Sequence, residues 1–398
     1  MFMECQKCKA RGWCEIHPYP ILAKMNALFK NKPIKEFFYG SAPNVFVGRH
    51  GYPNLNVGFL APVEIKDSTI YDSPREWRKQ DFDQKTVLAL RQELVNSRFK
   101  TNIKGSVKFL DYAKEVGMAE KPVEIEVNIK NTRQGFEVSP FVAPMGPRAE
   151  LKRISITSNP KIGHAVERVV SDNEYKATSA LAELYDKHYD ENFLTKLLST
   201  GNLGLKTERK LVPTRWAITA VDDTISKHLI DEIKSFQESE AIAFFNGYFG
   251  NYFLVMFFPG EWSYELIEIM VGKNPSVTTD YEPYSGRKEY VTETAGGYYA
   301  VRLAVCEKLR EMQRQASVLV LRFITDEYEL PLGVWVVREA SRKSVSSKPL
   351  KFADKDLMIN YAKAVAKRRF NLDIDDIIKK SRLLDKMNNQ KKLTGFLR

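Results

Sequence analysis

The chain has 398 residues, which is enough to bury one large core or two to three ordinary domains. Its composition is that of a globular protein, with 43% hydrophobic, 12% aromatic and 28% charged residues. No run of 18 apolar residues predicts a transmembrane helix, and the N-terminus lacks the basic and apolar regions of a signal peptide. These properties exclude a membrane-spanning protein and predict a cytoplasmic one.

Four potential metal ligands lie close together near the N-terminus. Cys5 and Cys8 form one C-x2-C pair, and Cys14 and His17 form a C-x2-H pair five residues later. This spacing suits tetrahedral Zn²⁺, and the closed ligand set indicates a structural site rather than a catalytic one. Reduced thiols or a disulfide are the alternatives, and a disulfide is disfavoured in the cytosol. We predict a structural zinc knuckle.

After the knuckle, helices and strands are predicted without the regular alternation of a doubly wound sheet, which indicates a mixed α/β (α+β) fold. Helices are expected near residues 20–29, 83–99, 164–198 with a break near Asp190, 222–236, 298–315, 354–370 and 373–387. Strands are expected within 39–53, 56–65, 123–129, 135–141, 216–221, 241–258 with a turn at Asn246-Gly247, 317–325 and 334–337. The segment 264–271 fits a strand or a helix.

Two stretches before residue 225 are candidate anion or nucleotide sites. Glycines between Tyr39 and Pro53 expose backbone amides near Ser41 and Arg49, although the same glycines also suit strand turns. Further on, Arg215 opens a predicted strand at 216–221 that ends in Asp222 and Asp223. This carboxylate pair could bind Mg²⁺ or act as a base, and simple capping of the next helix is the favoured alternative.

A third candidate lies where glycines precede a predicted helix. Gly296 and Gly297 lie at the start of the predicted helix, with Arg302 in its second turn. A helix N-terminus attracts anions through its dipole and its free amides. Close packing of the glycines is an equally weighted alternative. Cys306 falls in an apolar helical run and is expected to be a core residue.

The net charge of +11 is concentrated at the C-terminal end. From Arg338 onwards there are 17 Lys and Arg residues against 7 Asp and Glu residues, whereas the first 337 residues carry 44 basic and 43 acidic groups. Clustered cations bind phosphates by releasing counterions, which favours a polyanion, although a solvated basic face is the alternative. We expect DNA as the partner and keep RNA open.

The last residues resemble a sliding-clamp docking peptide. Gln390, Leu393, Phe396 and Leu397 follow the pattern by which replication and repair proteins bind PCNA. Residues three and four apart share one face of a helical turn, so the three apolar side chains form a plug. The alternative is the end of an amphipathic helix, which Gly395 disfavours by about 1 kcal/mol.

The knuckle, the terminal peptide and two internal blocks, 209–216 and 294–302, together resemble the archaeal Nre family of DNA repair proteins over essentially the whole chain. The resemblance implies a role in DNA damage repair and places the clamp-interacting role on the C-terminal peptide. Leu397 stands where clamp peptides often carry a second aromatic residue. An adenine nucleotide is a cofactor that the resemblance leaves open.

Four segments follow from these observations: a zinc knuckle over 1–20, one large globular body over 21–337, a basic linker and helical segment over 338–387, and a docking tail over 388–398. The linker is expected at 341–347. The first hypothesis is a PCNA-docked DNA repair protein that acts at damaged DNA. The alternatives are a nucleotide-binding or nucleotide-hydrolysing enzyme and a non-catalytic nucleic-acid-binding adaptor, so whether the chain is an enzyme stays open.

Overall fold

A computed structural model describes residues 34–272 and 275–389. Their contacts form two compact units. The first holds the described residues up to Ile225 together with Glu329–Trp335, and the second holds Ser226–Tyr328 and the described residues from Val336 onwards. Both units contain helices and sheets, which confirms the mixed α/β class. The predicted zinc ligands, the helix at 20–29 and the docking peptide lie outside the described residues.

The first unit is built on a six-stranded sheet. Its strands are β1 (Phe37–Ala42), β2 (Asn44–Val47), β3 (Asn54–Ala61), β4 (Val95–Asn102), β5 (Val123–Arg133) and β6 (Arg148–Ile156). Their order is β1-β5-β6-β4-β3-β2, and only β4 and β6 run parallel. Apolar side chains at alternate positions form the core on one face. The strand expected at 135–141 is wrong, because Glu137 makes only an isolated bridge with Met145.

Short helices complete this unit. They are α1 (Pro74–Lys79), α2 (Gln84–Gln92), α3 (Lys108–Met118), α4 (His164–Ser171), α5 (Ala177–Asp186), α6 (Glu191–Ser199) and the first part of α7 (Thr214–Ile233). Asp83 and Asp190 cap α2 and α6 by accepting hydrogen bonds from the amides of Thr86 and Phe193. The helix predicted over 83–99 is correct only for its first half, because β4 begins at Val95.

The strand predicted at 216–221 is wrong, because these residues lie inside the 20-residue helix α7. Its fully buried apolar residues recur every four positions, at Ala217, Val221, Ile225, Leu229 and Ile233. This spacing is helical, and it outweighs the β-propensity of the aromatic and branched side chains from which the strand was predicted.

The second unit contains another six-stranded sheet. The unit as a whole has eight strands among its described residues: β7 (Gln237–Glu238), β8 (Ile242–Tyr248), β9 (Asn251–Phe258), β10 (Ser263–Met270), β11 (Ser276–Glu282), β12 (Arg314–Gln315), β13 (Ser317–Ile324) and β14 (Leu350–Lys351). The sheet order is β11-β10-β13-β9-β8-β14, and β7 pairs with β12 separately. The segment 264–271, which the sequence left open between strand and helix, is therefore mostly a strand, β10.

The β8–β9 hairpin forms as predicted, but its turn lies three residues later than Asn246-Gly247. Phe249 and Gly250 both have positive φ angles, 51° and 68°, which is the geometry of a tight two-residue hairpin turn. An Asn-Gly pair is the usual sequence for such a turn, so the local signal was misleading. The observed register pairs buried side chains of β8 with buried side chains of β9, and this core packing overrides the local preference.

Five helices accompany this sheet: α8 (Ala295–Met312), α9 (Val334–Val345), α10 (Lys355–Phe370), α11 (Asp375–Lys379) and α12 (Arg382–Asn389). The strand predicted at 334–337 and the linker predicted at 341–347 are both wrong, because α9 covers most of their residues. A run of four apolar residues cannot distinguish a buried helix from a strand. The linker residue Arg342 is buried and ion-paired with Glu307 and Glu339.

Helices α10 to α12 pack on the second sheet through an apolar cluster that includes Met358, Ala362, Leu383 and Leu384. No helix in the described part of the chain combines the length and the apolarity needed to cross a bilayer.

Candidate nucleic-acid interface

The C-terminal basic segment carries exposed cations in the last turn of α10, directly after α11 and at the start of α12. We call this the basic helical surface and define it by Lys367, Arg368, Lys380 and Arg382. All four are exposed, and within the described part of the chain none of them makes an ion pair. Cations without partners are available to phosphates.

Other cations of the same segment are already paired. Lys363 lies 2.9 Å from Asp375, and Lys351 lies 2.6 Å from Glu240. The buried Arg342 is neutralised internally, so the charge count overstates the cations that face solvent. A local structural role is also present, because Lys367 and Arg368 lie in the last turn of α10, where cations stabilise the helix dipole. The residues of the basic helical surface are thus the exposed part of the positive charge that the sequence concentrates towards the C-terminus.

In the first unit, the glycine-rich turn and the start of α7 lie together. The Val47 amide donates to the Thr214 hydroxyl over 2.9 Å, and the Tyr52 and Trp216 rings are 5.4 Å apart. Both rings are nearly half exposed. The structure therefore brings two separately predicted candidate stretches into contact, which the sequence order alone does not indicate.

The predicted site residues on these stretches have different surroundings. Arg49 is exposed in the turn, whereas the Arg215 guanidinium lies 3.2 Å from the centre of the Phe141 ring. Ser41 is buried, and its hydroxyl accepts the Lys66 amide. Ser41 therefore supports the loop after β3, and Arg49 and Arg215 are the two cations near the turn.

Asp222 and Asp223 do not end a strand. They lie within α7, seven and eight residues after Arg215, so they are displaced from it by roughly 10 Å along the helix axis. Asp222 is completely buried and Asp223 is half-buried. The structure therefore does not bring the carboxylate pair to the glycine-rich turn.

Next to the start of α8, a carboxylate of the protein itself binds the backbone amides of the three residues that precede the helix. Asp280 accepts hydrogen bonds from the amides of Thr292, Glu293 and Thr294, at 2.9 to 3.0 Å. Burial raises the pKa of Asp280, but these hydrogen bonds outweigh it and hold the pKa below its ordinary value. This end of the helix is therefore stabilised from within.

The remaining predicted residues of α8 are buried in the same unit. Arg302 is ion-paired with Glu282 at 2.5 Å. A side-chain carbon added to Gly297 would lie 2.9 Å from an oxygen of Glu268, whose carboxylate is paired with Arg322. Position 297 therefore requires a glycine because the Glu268 carboxylate packs closely against it. Close packing was the alternative to an anion site that the sequence left open.

Sequence reasoning missed a buried lysine in the first unit. Lys196, in the last turn of α6, lines a cavity of about 230 Å³, and its ammonium donates to the carbonyl of Ala119 at the end of α3 over 2.7 Å. Burial lowers its pKa to about 8, although Asp72 and Asp190 oppose the shift. No sequence signal marks this position, because its burial depends on the packing of two helices that are distant in the chain.

A metal site in the body of the protein is not indicated. Among residues 34–272 and 275–389, no group of three or more His, Cys, Asp and Glu side chains is arranged to hold a metal ion. Cys306 is buried in α8, as expected for a core residue, and burial raises its pKa well above the ordinary value.

These features define a class, a mixed α/β protein with two compact units and a cationic C-terminal helical segment. The model of the family described as "Archaeal Nre, N-terminal" matches residues 13–275, and that of "Archaeal Nre, C-terminal" matches residues 282–396. The chain belongs to the archaeal Nre family, which confirms the resemblance found in the sequence.

Three curated relatives are similar over most of their length. The chain is 34% identical to DNA repair protein NreB of Archaeoglobus fulgidus, covering 99% of this chain and 100% of the relative. It is 35% identical to DNA repair protein NreA of Haloferax volcanii, over 85% and 86% of the two chains. It is 36% identical to DNA repair protein NreA of Archaeoglobus fulgidus, over 89% and 91%. No solved structure matches.

Proposed function

We propose that this protein takes part in DNA repair, docking onto the PCNA sliding clamp through Gln390, Leu393, Phe396 and Leu397 and acting at damaged DNA. The observation that carries the proposal is the similarity of nearly the whole chain to relatives named DNA repair proteins. The basic helical surface supports the DNA part of the proposal, because unpaired cations attract the phosphate backbone.

The position of α12 explains how docking and DNA attraction would act together. The helix ends at Asn389, directly before the peptide, and its Leu383 and Leu384 side chains are buried against the second sheet. Its start is fixed by Glu265, whose carboxylate accepts the amides of Arg382 and Leu383. The docking peptide thus continues from a firmly packed helix, only a few residues beyond the basic helical surface.

The N-terminal Cys5, Cys8, Cys14 and His17 set is proposed to hold one structural zinc ion. Four soft donors at this spacing in a short segment would gain most of their folding energy from the metal. The zinc site would therefore stabilise the N-terminal segment and take no part in a reaction.

Adenine-nucleotide binding at the glycine-rich turn is the alternative function. It is favoured by one observation, the contact between this turn and the start of α7, which places Arg49 and Arg215 in neighbouring elements. A thermal shift with ATP, ADP or AMP that disappears in Arg215→Ala would support it, because ligand binding stabilises the folded state. The absence of a shift with all three nucleotides would exclude it.

Calorimetry with purified PCNA tests the clamp proposal. The double variant Phe396→Ala, Leu397→Ala is expected to lose measurable binding, because it removes most of the apolar plug. The matched control is Lys391→Ala, Lys392→Ala, which changes the variable positions of the same motif and should keep its affinity within about threefold, since single ion pairs on a protein surface contribute little. Equal affinity of the first variant and the wild type would refute docking through this peptide.

A further inference from the structure

The sheet of the first unit has one face in the core. Its second face is polar, basic and partly exposed along β1, β5, β6 and the second half of β4, whereas a small apolar cluster that includes Leu60 covers it at β2 and β3. Along β4, for example, Phe99 is buried, whereas Arg98 is half-buried and Lys100 is exposed. Strand β5 shows the same alternation over most of its length, and β1 and β6 show it over their first residues. We call this second side the open face and define it by Phe37, Tyr39, Arg98, Lys100, Lys130 and Arg148.

Three arginines lie close together on this face. The strand register pairs Arg133 with Arg148 across β5 and β6, and places Arg148 opposite Asn96, two residues before Arg98 on β4. Burial lowers the pKa of the Arg98 guanidinium, and the charges of Arg148 and Arg133 lower it further, whereas the charge of Glu137 acts in the opposite direction. Three guanidinium groups at neighbouring positions repel one another unless an anion neutralises them.

The carboxylates near this cluster do not balance it. Glu137 is paired with Arg148. Glu150 lies opposite Arg98 in the strand register, but its carboxylate is 2.9 Å from the ammonium of Lys130. Arg98 and Arg133 make no ion pair within residues 34–272 and 275–389. The open face therefore retains an excess of cations at this end. Its other carboxylates, Glu124 and Glu126, lie towards β1, opposite Ser41 and Tyr39.

An exposed aromatic pair lies on the first strand of the same face. Phe37 is 43% exposed and Tyr39 is 46% exposed, and their rings are 5.2 Å apart with an interplanar angle of 89°. Single exposed aromatic residues need no explanation, but two on one face of one strand form an apolar platform. Such platforms stack unpaired bases irrespective of sequence.

The distance between the platform and the arginines fits a short single strand. Three strand spacings separate β1 from β4, and the register offsets Phe37 from Arg98 by two residues. With standard sheet dimensions, this separation is roughly 16 Å. A strand that places bases on the platform and phosphates at the arginines would span a few nucleotides, and the carboxylates beside Tyr39 would keep its backbone towards the arginine side.

We propose that the open face binds single-stranded DNA, with Arg98, Arg133 and Arg148 contacting phosphates and with Phe37 and Tyr39 stacking on bases. The choice of DNA rests on the proposed role in DNA repair. The choice of a single strand rests on the aromatic pair, because the bases of a duplex are stacked on one another and are not available to such side chains.

Fluorescence anisotropy with the full-length protein and a labelled oligothymidine of about 12 nucleotides tests the proposal. We expect Arg98→Gln, Arg133→Gln, Arg148→Gln to weaken binding at least about tenfold and to reduce the slope of log affinity against log salt by about 2, because each lost phosphate contact contributes about 0.7. Phe37→Ala, Tyr39→Ala should weaken binding at least about tenfold with an unchanged slope.

The matched control is Lys161→Gln, Lys176→Gln, Lys187→Gln, which removes the same charge from exposed positions near α4 and α5 of the same unit. It should bind within about twofold of the wild type. Melting temperatures of all variants establish that they fold. The proposal is overturned if the arginine variant or the aromatic variant binds like the control, or if the aromatic variant loses as much affinity for a duplex of equal length as for the single strand. Tighter binding of the matching oligouridine would reassign the face to RNA.

Failure of this proposal and failure of clamp docking are distinguishable. The open-face variants should bind PCNA like the wild type, because their residues lie in the first unit and the docking peptide lies at the C-terminus. The double variant Phe396→Ala, Leu397→Ala should keep its affinity for the single strand. Loss of single-strand binding alone in the open-face variants supports the open-face proposal. Loss of PCNA binding alone in the double variant supports clamp docking.

Discussion

Burial of Lys196 makes a quantitative prediction about stability and pH. Its ammonium has a pKa of about 8 in the folded protein, against 10.5 for an ordinary lysine, mainly because burial disfavours the charge. Between these two values the unfolded chain binds more protons than the folded one, so the free energy of unfolding increases as the pH rises. The full difference corresponds to about 3 kcal/mol, of which about 2 kcal/mol is recovered between about pH 7 and about pH 9.5.

The variant Lys196→Met keeps the length of the side chain and removes this titration. Near pH 7 it no longer carries the cost of a buried charge, but it leaves the Ala119 carbonyl without its donor, which costs about 1 to 3 kcal/mol. These terms offset one another, so the two proteins should differ by at most about 2 kcal/mol at that pH. By about pH 9.5 the wild type should have gained about 2 kcal/mol relative to the variant.

Urea denaturation at several pH values measures this gain. Lys121→Met is the matched control, because Lys121 lines the same cavity but is exposed. Its stability relative to the wild type should not change over the same pH range. The difference in the free energy of unfolding between the wild type and Lys196→Met could instead stay constant within about 0.5 kcal/mol over this pH range. That result would show that Lys196 titrates like a solvated lysine and would refute the reasoning.

Three further predictions concern the second unit and the N-terminus. Asp280→Ala should lower the free energy of unfolding by about 3 kcal/mol at neutral pH, because it removes the acceptor of three backbone amides, of which that of Thr294 is buried. Since the pKa of Asp280 is depressed, the loss should shrink as the wild-type carboxylate becomes protonated at acid pH, which denaturation at both pH values measures. Gly250→Ala should lower the free energy of unfolding by more than about 2 kcal/mol, because φ is 68° at this residue and the added carbon would lie 2.5 Å from the Tyr328 amide nitrogen. A melting temperature equal to that of the wild type would contradict the turn geometry. Elemental analysis should give about one zinc per chain, lost in Cys5→Ala, Cys8→Ala, and a folded protein without metal would argue against the knuckle.

Predictions from the sequence were correct where neighbouring residues in the chain carry the signal. Asp190 was expected to interrupt a helical region, and it caps α6 because its side chain reaches an amide three residues later. The helix expected over 354–370 forms from Lys355, and Asp354 caps it by accepting the amide of Leu357. Strand β5 was recognised from strict alternation, which reports a sheet with one buried face.

Predictions failed where burial on all sides removes the local pattern. Helix α9 begins with Val334 and Trp335 and is buried on most sides, so its residues show neither helical nor strand periodicity. The hairpin turn lies at Phe249-Gly250 and not at Asn246-Gly247 because the register of the buried strands fixes its place. Burial of the paired side chains contributes more to stability than the preference of one turn residue.

The sequence by itself determined the family, the mixed α/β class and the concentration of charge towards the C-terminus, because each is a property of residues read in chain order. Only the tertiary structure decided which distant residues share a surface. Arg98 and Arg148 become neighbours because β4 and β6 pair in parallel, and Phe37 joins the same face through β5. Strand pairing is a long-range choice made by the burial of a common core, and no local pattern in the chain encodes it.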